Sequence, residues 1–227
     1  MKIGVIVAME KELKQLRSII SNARSEQHNS KEFYLGNIGE NQIVALQCGI
    51  GKVNSTIGAV ELINHFRPDL VISTGVAGGA DVSLNPTEVV VSTELAYHDA
   101  YCGKEVEFGQ IIGQPARFAA PKEYVEKALS LNCGTSIHSG LIVSGEWFVD
   151  SKEKMQSIMD KFPDAMAVDM ESCSIAQTCN VYNVPFISFR IISDVPLKDT
   201  DASQYYDFWE RIAEGSFNVT RSFLESI

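Results

Sequence analysis

Basic residues are the scarce class in this chain. Of its 227 residues, 19 are Lys or Arg against 29 Asp or Glu, a formal net charge of −10. A nucleic-acid binder needs a basic face to neutralise phosphates, and an anionic membrane surface asks for the same. This balance argues against both and favours a neutral or cationic small molecule as partner. Cysteine is sparse too: Cys48, Cys102, Cys133, Cys173 and Cys179, an odd number with no C-x-x-C pair. The spacing excludes the zinc and dithiol motifs built on close pairs, so no metal is expected, and it fits reduced thiols in the cytoplasm. No apolar run is long enough to cross a bilayer. The opening Met1-Lys2-Ile3-Gly4-Val5-Ile6-Val7-Ala8 runs directly into Glu10 and Glu12, and it reads as a buried strand rather than a signal peptide. Nucleotide-loop signatures are missing as well. Gly75-Val76-Ala77-Gly78-Gly79 is not G-x-G-x-x-G, and no Lys-Ser or Lys-Thr follows it. Without a G-x-S-x-G elbow, His98-Asp99 reads as a loop pair rather than part of a nucleophile triad.

What is present suits a globular enzyme-sized unit. Hydrophobic residues make up 45% and charged residues 21%, and the length fits one large α/β domain over residues 1–227. Apolar runs at Ile3–Ala8, Asp69–Thr74, Glu88–Tyr97, Ser136–Ser144 and Pro185–Ser193 read as strands. Phe33–Ile38 and Gln42–Cys48, joined by Gly39-Glu40-Asn41, read as a hairpin. Helical spacing appears at Leu13, Leu16 and Ile20, and at Val53, Ile57, Val60 and Ile63, where Pro68 ends it. It recurs in Pro121–Leu131, Ser151–Phe162 and Glu171–Cys179. Phe208, Ile212, Gly215 and Val219 suggest one long final helix. The glycine run at 75–79 is expected to be a turn, and 98–118 a loop. Strands alternating with helices predict a mixed, mainly parallel central sheet covered by helices.

Ligands in such sheets bind beyond the carboxyl ends of the strands. There the chain carries Met9-Glu10-Lys11-Glu12, Gly49-Ile50-Gly51-Lys52, the 75–79 run, Gly145-Glu146-Trp147-Phe148, Asp169-Met170-Glu171 and Ser193-Asp194. Each has an ordinary explanation. Acids in a first helical turn favour the macrodipole, Asp169 and Glu171 stand where caps stand, Asp194 can close a turn, and Met9 and Met170 can be packing residues. Their joint placement is what points to a shared site.

Taken in order, Ala8-Met9-Glu10-x-Glu12, Gly49-Ile50-Gly51-Lys52-Val53, Thr74-Gly75-x-Ala77-Gly78-Gly79, Tyr97-His98-Asp99, Val143-Ser144-Gly145, Asp169-Met170-Glu171 and Ile192-Ser193-Asp194 resemble one family. It is that of the 5′-methylthioadenosine/S-adenosylhomocysteine nucleosidases, within the purine-nucleoside and uridine phosphorylase superfamily. The resemblance covers nearly the whole chain. It implies a three-layer α/β/α sandwich, hydrolysis of the N-glycosidic bond of a purine nucleoside, no cofactor, and a homodimer in which loop 98–118 reaches the neighbouring site. By the same resemblance Glu12 activates the attacking water and Asp194, held by Ser193, protonates N7 of adenine. Glu171 would receive the ribose hydroxyls and Met170 pack on the sugar. Phe148 would stack on the base, the backbone of Val149 read its edge, and Tyr205 cover it. Met9, Ile50, Ala77 and Gly78 would line the sugar and water site, and Arg190 would support the acidic cluster. The chemistry agrees: cleavage builds positive charge on the sugar and negative charge on the purine, which calls for two carboxyl groups with pKa values pushed apart.

Three positions depart from the family pattern: Val76 replaces a common Ser, Asp169 a common Glu, and loop 100–110 is shortened and altered. The 5′-substituent is therefore left open. Rival readings are a phosphorylase, which needs cations for phosphate, a futalosine-type hydrolase, and a silent binding protein on the same fold.

Overall fold

The computed structural model of the chain describes residues 1–198, 203–211 and 217–227. The first strand, β1 (Lys2–Val7), leads into α1 (Glu10–Ile19), followed by the meander β2 (Ser21–His28), β3 (Lys31–Ile38) and β4 (Asn41–Gln47). Helix α2 (Lys52–Phe66) crosses to β5 (Leu70–Gly79), then come β6 (Val89–Tyr97), β7 (Phe118–Ala119) and α3 (Lys122–Leu129). The remainder is β8 (Ile137–Ser144), α4 (Lys152–Met159), β9 (Ala165–Asp169), α5 (Ser172–Tyr182), β10 (Phe186–Asp194), α6 (Ser203–Arg211) and α7 (Asn218–Ser226).

These strands form one mixed sheet in the order β10-β6-β8-β9-β5-β1-β4-β3-β2, with β7 against β6. Strand β10 also pairs with β5, so β5, β10, β6, β8 and β9 close into a ring. Alternation along β1 shows how the layers arise. Ile3, Val5 and Val7 face a core shared with α1, α3 and α7, through Leu13, Val125 and Phe223. Ile6 faces the opposite core, with Leu62 of α2 and Ile175 of α5. The sheet is thus sandwiched between helices, as expected.

Three local readings are corrected. The glycine run at 75–79 is the end of β5, not a turn, and it pairs with both β10 and β9. Strand β2 was invisible because its residues Ser21-Asn22-Ala23-Arg24-Ser25-Glu26-Gln27-His28 are polar and mostly exposed. Its backbone pairs antiparallel with β3, and its His28 ring stacks on His65 of α2 at 4.3 Å. Strand β9 is five residues long, too short for a period to show. The expected single final helix falls on α6 and α7, and its Ile212 and Gly215 lie outside the described residues.

Buried Asn41 ties the first strand to the last helix. Its Oδ1 accepts from the Met1 ammonium at 2.9 Å, and its Nδ2 donates to the carbonyls of Leu224 and Ile227, both at 2.9 Å. Losing a buried hydrogen-bonded group costs about 1–3 kcal/mol. Asn41→Ala is expected to lower Tm by several degrees in a thermal melt, leaving ligand binding at the far end of the strands intact.

Candidate active site

The carboxyl ends of β1, β5, β8, β9 and β10 converge on a cleft of about 630 Å³, mouth included. Of the residues singled out in the sequence, Met9 and Glu12 enter from α1 and the turn before it, Ile50 from the loop after β4, and Ala77 and Gly78 from β5. Phe148 and Val149 come from the loop after β8, Met170 and Glu171 from the turn between β9 and α5, Ser193 and Asp194 from the end of β10, and Tyr205 from α6. Arg190 stands behind this wall, on β10, fully buried. The Phe148 and Tyr205 rings meet edge to face at 5.1 Å, and both form one side of the cleft.

Glu12 sits where helix α1 begins, so part of its role is the capping suggested by its position. Oε2 accepts from the backbone N–H groups of Ala8 and Met9, each at 2.9 Å, and Oε1 accepts from Val76 N–H at 3.0 Å. Three oriented donors favour the carboxylate, as does Arg190, yet burial outweighs them and raises the Glu12 pKa above its usual value. A carboxylate whose pKa is raised holds a proton more strongly than an ordinary one, a property suited to general-base chemistry.

Glu171 is the residue before α5, but its side chain does not cap that helix. Its Oε1 accepts from Gly51 N–H at 2.9 Å. Burial first, then the nearby Asp169 carboxylate, push its pKa up to about 7. Asp169 takes the capping task instead, accepting from Ser172 N–H at 3.3 Å. It also forms a buried ion pair with Arg190 Nε at 2.6 Å. Hydroxyls close the network around that pair. Ser144 Oγ donates to Asp169 at 2.5 Å, and Ser172 Oγ donates to the other carboxylate oxygen. Arg190 Nη2 donates to Ser73 at 2.7 Å and to Ser172 at 2.8 Å. At the end of β10, Ser193 Oγ lies 2.5 Å from Asp194 Oδ1 and 3.2 Å from the Ala77 carbonyl.

Gly75 explains how the Glu12 carboxylate and the Arg190 guanidinium share one space. A Cβ there would lie 2.5 Å from Glu12 Oε1 and 2.7 Å from Arg190 Nη1. Only a residue without a side chain lets the carboxylate and guanidinium face each other over β5. Sequence reading passed over Ser73 and Ser172, and it gave Ser144, quoted within Val143-Ser144-Gly145, no role of its own. It also gave no role to Trp147, which lines the cleft. Position relative to the strand ends was the one available signal. His98 and Asp99 form no catalytic couple: Asp99 pairs with Lys52, and both buried His98 ring nitrogens lack a partner. Among the described residues no cluster of His, Cys, Asp and Glu is suited to hold a metal ion.

A mixed α/β sandwich that sets buried carboxylates against an aromatic wall belongs to the class of proteins equipped to act on a sugar–base linkage. The model of the phosphorylase superfamily matches residues 2–225. A 5′-methylthioadenosine/S-adenosylhomocysteine nucleosidase from Maridesulfovibrio salexigens is 37% identical over the full length of both chains. The structure of the corresponding S. pneumoniae nucleosidase, with the transition-state inhibitor MT-ImmA, is 32% identical at a TM-score of 0.93 and covers 100% of this chain and 99% of that one. Futalosine hydrolase of Helicobacter pylori is similar at 26% identity and a TM-score of 0.91, covering 100% and 98%. The chain belongs to the 5′-methylthioadenosine/S-adenosylhomocysteine nucleosidase family of the phosphorylase superfamily.

Two expectations follow from the geometry. Gly75→Ala should displace Glu12 or Arg190 and lower kcat/KM by about 100-fold, since misplacement by an ångström is enough. Steady-state kinetics with a near-normal value would refute the arrangement. Glu171 has a folded-state pKa above its unfolded value, so the native state holds more protons between pH 4.5 and about 7 and loses stability as pH rises through that window. Melts of Glu171→Gln should therefore gain on the parent by a few degrees as pH goes from about 5 to 8.

Proposed function

We propose that the chain hydrolyses the N-glycosidic bond of 5′-methylthioadenosine and S-adenosylhomocysteine, releasing adenine and the 5-thio-substituted ribose, and that residues 1–227 act as one nucleosidase domain. The observation that carries hydrolysis is the fate of the anion-binding groups. The Ala8, Met9 and Val76 N–H groups, which could cradle a phosphate, are taken by the Glu12 carboxylate. Among the described residues lining the cleft there is neither Lys nor Arg. A phosphorolytic enzyme needs the opposite.

In the proposed reaction Glu12 takes the proton of a water held beneath the anomeric carbon. Asp194, oriented by Ser193, gives a proton to N7 of the departing adenine. Glu171 binds the ribose hydroxyls, and Met170 packs on the sugar. Met9, Ile50, Ala77 and Gly78 shape the sugar and water site. Phe148 stacks on the base under Tyr205, and the Val149 backbone reads its edge. Arg190 keeps the carboxylates in place. Each proton transfer contributes roughly 10²–10⁴-fold. Glu12→Gln or Asp194→Asn should cut adenine release by at least that factor while calorimetry still detects nucleoside binding. Turnover within a few-fold of the parent would refute the assigned roles. Since Glu12 must be ionised to act and its pKa is raised, kcat/KM should fall on the acid side at a pH above the ordinary carboxylate value of 4.5.

Release measured with and without phosphate separates hydrolysis from phosphorolysis, and ribose 1-phosphate as product would overturn the proposal. A panel of methylthioadenosine, S-adenosylhomocysteine and aminofutalosine separates the nucleosidase from a futalosine-type enzyme. We place the protein in the cytoplasm, on its five free thiols. We also propose a homodimer, supported by the exposed apolar side chains Ile50, Val53 and Ile57 and by exposed Tyr101 and Ile112 of loop 98–118. Light scattering should give twice the chain mass, falling to one for Val53→Glu.

A further inference from the structure

Behind the cleft three loops are tied together by a small closed circuit. Lys52 Nζ, at the start of α2, donates to both oxygens of Asp99 at 2.8 Å. Asp99 Oδ2 also accepts from Glu146 N–H at 2.9 Å, and Glu146 Oε1 returns to accept from Lys52 N–H at 2.7 Å. Asp99 is well shielded, with 9% of its side chain exposed, and it does not line the cleft. The residues on either side of the circuit do. Ile50 precedes Lys52, and Gly51 N–H binds Glu171. Trp147, Phe148 and Val149 follow Glu146. The His98 ring supports the same loop, its centroid 5.3 Å from that of Trp147. Gly51 fits its place for two reasons: its φ is 93°, and a Cβ there would meet Glu146 Oε2 at 2.5 Å.

We infer that Asp99 is a positioning residue: through Lys52 and Glu146 it sets the distance between the loop at 49–51 and the loop at 145–149, and so the spacing between the sugar side and the base wall of the cleft. This rests on the nucleosidase reading. A buried carboxylate shared by a cation and a backbone N–H is a charge-assisted contact, shorter and stronger than a neutral one. Of the two groups it holds, Glu146 lies in a loop and Lys52 opens α2, and the Glu146 carboxylate closes the circuit through Lys52 N–H. The circuit acts on ground-state and transition-state binding together, because both need the base held against Phe148. Its loss therefore appears mainly in KM.

The test compares Asp99→Ala, Asp99→Asn, Lys52→Met and Asp99→Ala/Lys52→Met with the parent and with Glu225→Gln, which breaks an exposed ion pair in α7. Methylthioadenosine kinetics, thermal melts and amide hydrogen exchange are measured on each. Asp99→Ala is expected to raise KM about 10–100-fold with kcat changed far less, and to speed exchange at 50–52 and 145–149. Asp99→Asn, which keeps an oxygen for Glu146 N–H, should recover part of the loss. The double variant should lose no more than the worse single one, as coupled partners do. Glu225→Gln should match the parent. An unchanged KM in Asp99→Ala alongside faster loop exchange would overturn the proposal, as would additive losses in the double variant. A parent that releases no adenine while Asp99→Ala still loosens both loops would instead overturn the nucleosidase reading.

Discussion

One guanidinium has to answer for three carboxylates. Arg190 is wholly buried, in contact with Asp169 and within electrostatic reach of Glu12 and Glu171. Isolated, any of these charges would be costly inside the sheet. Together they are tolerable because the hydroxyls of Ser73, Ser144 and Ser172 bond to Arg190 and Asp169, and backbone N–H groups bond to Glu12 and Glu171. A buried pair of this kind contributes little net stability, but removing one member leaves the other uncompensated at a cost of about 3–5 kcal/mol. Burial raises the pKa of both Glu12 and Glu171, and the single Arg190 offsets it only in part. The tuning of the site follows from this imbalance as much as from any single contact.

The ring of strands is the mechanical counterpart of that charge cluster. Strand β10 must pair with β5 and β6 at once to bring Arg190 beneath Gly75, and the same strand delivers Ser193 and Asp194 to the cleft. A bulge between Ile192 and Asp194 shifts the register against β5 at this point, as bulges beside functional sites commonly do to re-aim a side chain. Arg190, Asp194 and the part of the cleft wall formed by Ala77 and Gly78 thus ride on two adjacent strands. Their relative positions are set by backbone pairing rather than by loops.

Much of this was legible beforehand, and the reasons differ by residue. Buried strands announce themselves as apolar runs, unbroken in β1 and interrupted by Ser188 and Arg190 in β10, and the carboxylates stand out because they follow those runs. Val76 and the 75–79 glycines were harder. Five small residues look like a turn until a neighbouring Glu and Arg are seen to need the room. Ser73 and Ser172 carry no pattern that points to Arg190, which lies 117 and 18 residues away in the chain. The Lys52–Asp99 pair was hidden for the same reason: nothing local hints that Asp99 turns away from His98. Strand β2 escaped because it buries almost nothing.

That last strand has a consequence of its own. Ser21–His28 occupies an edge of the sheet, where unpaired N–H and C=O groups invite a strand from another molecule. Arg24, Glu26 and His28 are spaced along it, partly or fully exposed. Stacking a second copy there would bury charge with no apolar surface gained in return. The polar sequence that hides β2 from a hydrophobicity reading is the same property that keeps this edge from seeding fibrils.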